Sequence, residues 1–103
     1  MFRIHFKNGV DFQAMHRRIW DAVSVAAFLY QSYGALSLWV TSGREGEHMV
    51  GSLHHDGKAV DIRAWNLPES KRTDAFNALK AYLGTEYDVI DEGKHIHIEY
   101  DVS

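Results

Sequence analysis

The chain contains 103 residues, of which 46% are hydrophobic and 13% aromatic, and its formal net charge is −3. This composition is sufficient for a folded core, and an acidic balance without a long basic run argues against nucleic-acid binding. Because the chain has no cysteine, disulfides and thiolate metal ligands are excluded.

The hydrophobic spacing predicts alternating helices and strands within one domain over residues 1–103. In chain order, the predicted elements are an edge strand over 2–6, a helix over 16–33, strands over 35–42 and 58–65, a helix from Pro68 to Gly84, and strands over 87–91 and 95–102. A glycine-rich segment, 42–52, is predicted to be a loop. The pattern indicates an α+β fold with both helices on one face of a mostly antiparallel sheet. Residues 1–12 are a candidate N-terminal extension of undefined role.

Two of the predicted strands carry polar side chains on one shared face. Side chains alternate between the two faces of a strand. The apolar positions of 58–65 and 95–102 match the apolar faces of the helices, so the opposite face carries Asp61 together with His95 and His97. The alternation therefore predicts that these three polar side chains lie on the uncovered side of the sheet.

The histidines suggest a metal site on that face. Four of the seven histidines in the chain fall in two close pairs, His54–His55 and His95/His97. Zinc binds imidazole and carboxylate groups, and three protein ligands leave a fourth position for water. One histidine from each pair, with Asp61, would supply such a set. The alternative without a metal is that the histidines are solvated polar residues and that Asp61 pairs with a neighbouring cation.

Residues 52–61 carry a family resemblance. Ser52-x-His54-x-x-Gly57-x-Ala59-x-Asp61 resembles the S-x-H-x-x-G-x-A-x-D signature of the M15 zinc peptidases, and all five specified positions match. The segment 40–46 is similar to the family's strand and loop that present an arginine to the substrate. The segment 91–100 is similar to its final segment, in which an acid precedes a ligand histidine. The resemblance covers about residues 36–101 and implies an M15-like fold with a Zn²⁺ site on the open face of the sheet.

The resemblance implies roles for residues in and around the predicted loop. His54 and Asp61 would bind Zn²⁺, and His55 would be a neighbour of the site. Arg44 and Ser52 would contact the substrate, at its carboxylate or carbonyl oxygen, and Arg44 would also stabilise a developing oxyanion.

The third zinc ligand is left open between two histidines. Family spacing from acid to histidine, counted from Glu92, gives His95, whereas the residue pattern that follows the ligand gives His97. We favour His97 as the ligand and Glu92 as the general base, with His95 beside the water or the oxyanion.

The expected function is zinc-dependent hydrolysis of peptidoglycan stem peptides, of the D-Ala-D-Ala carboxypeptidase or L-Ala-D-Glu endopeptidase type found in phage endolysin-like enzymes. The alternative is a non-catalytic metal-binding or degenerate peptidase module that binds cell-wall peptides. The expected partner is a peptidoglycan peptide, not nucleic acid or a membrane. Because no apolar stretch approaches the roughly 18 residues of a membrane span and the start lacks a signal-peptide core, we expect a protein that is cytoplasmic as synthesised and acts on the cell wall after release.

Overall fold

The structure, a computed structural model, describes residues 1–13, 15–43 and 57–101. Five strands form one sheet, and two helices pack against it. The elements are β1 (Arg3–Phe6), α1 (Arg17–Ser32), β2 (Ser37–Ser42), β3 (Ala59–Arg63), a short 3₁₀ turn (Glu69–Lys71), α2 (Arg72–Leu83), β4 (Tyr87–Asp91) and β5 (His95–Tyr100). The predicted α+β class is therefore confirmed.

The sheet is mixed, with the strand order β1-β2-β3-β5-β4. The β1–β2 pairing is parallel, and the β2–β3, β3–β5 and β5–β4 pairings are antiparallel. A parallel neighbour needs a long crossover connection, and α1 lies in the chain between β1 and β2. The predicted edge strand near the N-terminus is thus part of the sheet.

Helix α1 presents an apolar stripe to the sheet. His16 caps its first turn, since the imidazole Nδ1 accepts a hydrogen bond from the Arg18 N–H at 3.1 Å. The helix ends just before Gly34, whose φ of +96° suits glycine. The buried side chains recur at three- and four-residue spacing, namely Ile19, Ala22, Val23, Ala26, Leu29 and Tyr30.

Helix α2 buries a narrow stripe of side chains. Ala75 and Leu79 are buried, and Phe76 and Leu83 pack against the core from partly exposed positions. Tyr82, which the spacing places on the same apolar face, is 69% exposed. The ring at position 82 therefore lies outside the core.

The two faces of the sheet differ as the alternation predicts. Val60 and Ile62 on β3, with Ile96 and Ile98 on β5, are at most 3% exposed and belong to the core that the helices cover. On the opposite face, β3 and β5 present partly exposed polar side chains. Among the described residues, neither helix combines the length and apolar character needed to cross a membrane.

Candidate functional site

The register of β3 against β5 sets the polar side chains of the open face side by side. Asp61 lies opposite His97, and Arg63 lies opposite His95. On the other side of β3, the register with β2 shifts between Val40 and Ser42, so that Ser42 pairs with Asp61. Such an irregularity bends a strand locally and is common beside functional sites. The open face therefore carries two adjacent rows of polar residues.

Asp61 is held by the imidazole of the opposite strand. Its Oδ1 accepts a hydrogen bond from His97 Nδ1 at 2.7 Å, while its Oδ2 lies 4.0 Å from His95 Nε2. The Asp61 side chain is only 15% exposed. A carboxylate this poorly hydrated needs a charged or hydrogen-bonding partner, and His97 supplies one.

His97 lies between two carboxylates. Its Nε2 donates to Glu99 Oε1 at 2.8 Å, in addition to the bond from Nδ1 to Asp61. The hydrogen bond to Asp61 is the main cause that raises the pKa of the His97 imidazole to about 9; burial opposes the shift and the bond to Glu99 adds to it. Because ionised carboxylates only accept hydrogen bonds, both ring nitrogens act as donors. In this arrangement neither nitrogen offers a lone pair to a metal.

His95 has a different environment at the end of the β4–β5 hairpin. Its Nε2 lies 3.0 Å from Glu92 Oε1, and the side chains are 38% and 45% exposed. The hairpin keeps the two residues together, since the Glu92 N–H donates to the His95 carbonyl and Gly93 has a φ of +86°. The short acid-to-histidine spacing thus becomes a side-chain contact.

Asp61, Glu92 and His95 form a donor cluster, in which one ligand atom from each residue lies within 4.8 Å of the others. A nitrogen with two carboxylate oxygens is a donor set that suits zinc among the common metals. A second group, Asp88, Glu99 and Asp101, also converges within that distance, but it offers oxygen alone. Exposed acidic side chains commonly lie together without an ion, so the mixed donor set is the better candidate.

Four of the predicted site residues therefore come together: Asp61, Glu92, His95 and His97. The remaining predicted site residues, Arg44, Ser52 and His54, lie outside the described residues, as does His55.

A shallow groove of about 340 Å³ runs beside the donor cluster. Asp61 and His95 line it together with Thr41, Ser42 and three cations, Lys7, Arg63 and Lys94, and with Trp65. The cations and the tryptophan were not predicted as site residues. Arg63 shares the face of Asp61 by simple alternation, so the sequence held a signal for it, whereas Lys7 reaches the groove only because β1 joins the sheet beside β2.

The chain was compared with protein-family models and with curated proteins. No family model matches it, and no curated protein shows significant similarity. The resemblance to the M15 peptidases therefore rests on the motif residues and their spacing.

Proposed function

We propose that the chain is a zinc-dependent metallopeptidase that hydrolyses peptide bonds of peptidoglycan stem peptides. The observation that carries the proposal is the convergence of Asp61, Glu92 and His95 on the open face of the sheet, with donor atoms within 4.8 Å of one another. These residues come from two separate segments of the sequence, 52–61 and 91–100, and both segments resemble the M15 family. A groove beside them provides room for an extended peptide.

The donor chemistry fits zinc. In the proposed site, Asp61 Oδ2 and His95 Nε2 bind the ion together with His54, a ligand that the resemblance implies. The 4.0 Å between Oδ2 and Nε2 is close to the separation of about 3.3 Å that two ligands take around a tetrahedral zinc ion with bonds of about 2.0–2.1 Å. The two side chains therefore need only a small movement to share a cation.

The geometry favours His95 over His97 as the third ligand. His95 Nε2 faces Asp61 Oδ2 and contacts one exposed carboxylate, that of Glu92, which can move aside, whereas both nitrogens of the less exposed His97 are held by carboxylates. We propose that His97 instead positions Asp61. Its hydrogen bond fixes Oδ1, so that Oδ2 is directed at His95, and Glu99 fixes the ring from the other side. Hydrogen bonds of this kind to metal-binding groups commonly tune metal affinity.

Glu92 is the proposed general base. When bound, zinc polarises a carbonyl group and lowers the pKa of water to about 7. The carboxylate of Glu92, which adjoins His95 Nε2, accepts a proton from the attacking water and then donates it to the departing amine. At 45% exposure, its side chain is accessible to both water and substrate. Arg44 contributes through the role that the resemblance implies, by stabilising the oxyanion.

The proposal is tested by incubating the zinc-loaded chain with purified peptidoglycan and with D-Ala-D-Ala-terminated peptide, and by following release of new amino groups. Turnover that requires zinc supports the enzyme. One zinc per chain without turnover favours the alternative, a metal-binding module that holds cell-wall peptides without cleaving them.

A further inference from the structure

Arg63 is an unusual cation for a sheet surface because aromatic rings surround it. Its guanidinium carbon lies 4.9 Å from the ring centre of Trp39 and 4.4 Å from that of Trp65. His5 in turn stacks on Trp39, with ring centres 4.5 Å apart and planes inclined by 23°. From the buried side, the Tyr30 hydroxyl donates to the Arg63 carbonyl at 2.8 Å. The residue is therefore fixed at both its backbone and its side chain.

The hydrogen-bonding capacity of Arg63 is left available. Within residues 1–13, 15–43 and 57–101, no carboxylate pairs with its guanidinium and no acceptor takes a bond from it. Contacts with ring faces supply cation–π attraction, but they do not use the five N–H donors as conventional hydrogen bonds would. Those donors form a planar fork that matches a carboxylate in two parallel bonds.

Among the described residues that line the groove around Arg63, cations outnumber carboxylates, although the whole chain carries a net charge of −3. Lys7 and Lys94 line the same groove as Arg63 and Asp61, and the carboxylate of Glu92 lies next to it, 3.0 Å from His95 Nε2. In the proposed site the Asp61 carboxylate neutralises a metal ion. Low-dielectric walls and charges of one sign concentrate the attraction for an oppositely charged ligand.

We propose that Arg63, assisted by Lys7 and Lys94, anchors a carboxylate of the peptide on which the donor cluster acts. Arg63 and Asp61 are two residues apart on β3, hence about 7 Å along the strand. An extended peptide spans about 3.3–3.6 Å per residue, so the anchored carboxylate belongs to a residue one or two positions from the bond that is cleaved. The inference rests on the proposed function and adds acidic peptides as the preferred substrate class.

The test compares N-acetyl-D-alanine with its carboxamide, two probes that differ in one carboxylate. Binding to the zinc-loaded chain is followed by NMR titration, in which the indole N–H signals of Trp39 and Trp65 report on the groove. Trp20, which packs against Phe6 and Phe12, serves as the internal reference. We expect the acid to bind about tenfold more tightly than the amide, as a charge-assisted bidentate contact would give, and to shift the Trp39 and Trp65 signals.

Three variants assign that preference to Arg63. Arg63→Gln removes the cation and is expected to bind acid and amide equally. Arg63→Lys keeps the charge without the planar fork and is expected to retain part of the preference. Lys71→Gln makes the same charge change in the exposed 3₁₀ turn and is expected to behave as the wild type.

Two results would overturn the inference: wild-type protein that does not distinguish the acid from the amide, or Arg63→Gln that binds the acid as tightly as wild type. If Arg63→Gln does not fold, the inference is tested by comparing the preference for acid over amide in the wild type with that in Arg63→Lys. The titration is repeated on zinc-free chain, where the preference should persist because Arg63 carries it. Failure of the peptidase proposal, seen as absent zinc binding or turnover, is thereby distinguished from failure of the Arg63 anchor.

Discussion

Replacing His95 and His97 in turn, each by alanine and by asparagine, separates a zinc ligand from a residue that positions one. In the wild type, His97 Nδ1 lies 2.7 Å from Asp61 Oδ1. The amide nitrogen of asparagine occupies roughly the place of the imidazole Nδ1, so His97→Asn retains a donor for Asp61 Oδ1. His97→Ala removes the donor. At His95 the atom that faces Asp61 is Nε2, which neither asparagine nor alanine replaces.

The expected losses of zinc affinity are similar for the two alanine variants and differ for the two asparagine variants. Loss of a hydrogen bond that orients a metal ligand lowers metal affinity by about 10–100-fold. Structural zinc sites with four ligands bind with about 10–16 kcal/mol, hence about 3 kcal/mol per ligand, and loss of a ligand lowers affinity by more than about 100-fold. We therefore expect His97→Ala to weaken zinc binding, His97→Asn to restore it to within about threefold of wild type, and both His95 variants to lose it.

The assay is competition for zinc against a chromophoric chelator at pH 7, with circular dichroism to verify the fold. Removing one partner of a buried ion pair costs about 3–5 kcal/mol, a large share of a typical free energy of unfolding of about 5–15 kcal/mol, so only variants that keep the wild-type spectrum are compared. If His97→Asn loses zinc as completely as His97→Ala while the His95 variants retain it, His97 is the ligand and the proposed roles are reversed.

Three further predictions follow from the same geometry. Glu92→Gln should keep zinc but lower hydrolysis by about 10²–10⁴-fold, the contribution of a general base; full turnover in steady-state assays would remove Glu92 from that role. Asp61→Ala should lose the one bound zinc, measured by elemental analysis, whereas Asp88→Ala, in the all-oxygen cluster, should keep it; unchanged metal in Asp61→Ala would eliminate the site. Tyr30→Phe should lower the free energy of unfolding by about 1–2 kcal/mol, because it removes the hydroxyl that donates to the Arg63 carbonyl; equal urea midpoints for the two proteins would contradict this.

Much of the fold follows from local patterns in the sequence. The hydrophobic spacing predicts a helix over 16–33 and strands over 87–91 and 95–102, and the structure has α1, β4 and β5 at these places. The parallel pairing of β1 with β2 was not predictable, because the alternation of a short strand shows which side chains share a face but not which strand is its neighbour. Tyr82 shows a different limit: helical spacing places it on the apolar face of α2, but tertiary packing leaves it 69% exposed.

The candidate site was predictable at the level of a shared face and no further. Alternation on β3 and β5 brought Asp61, His95 and His97 to the open side of the sheet, and the register then set Asp61 opposite His97. The choice between the histidines depends on which ring nitrogen meets which carboxylate, and that is a matter of side-chain rotamers. The position of Arg63 over Trp39 likewise requires the β2–β3 register across a long connection.

In the proposed function, residues on the open face of the sheet cleave cell-wall peptides. Mass spectrometry of purified peptidoglycan after incubation with the zinc-loaded chain tests it most directly, with Glu92→Gln and chelator-treated protein as matched controls. We expect new peptide fragments, each carrying the mass of one added water, that appear with the wild type and are lost in both controls. Peptidoglycan that is unchanged after prolonged incubation with fully zinc-loaded protein, or fragments that appear equally with Glu92→Gln, would contradict it.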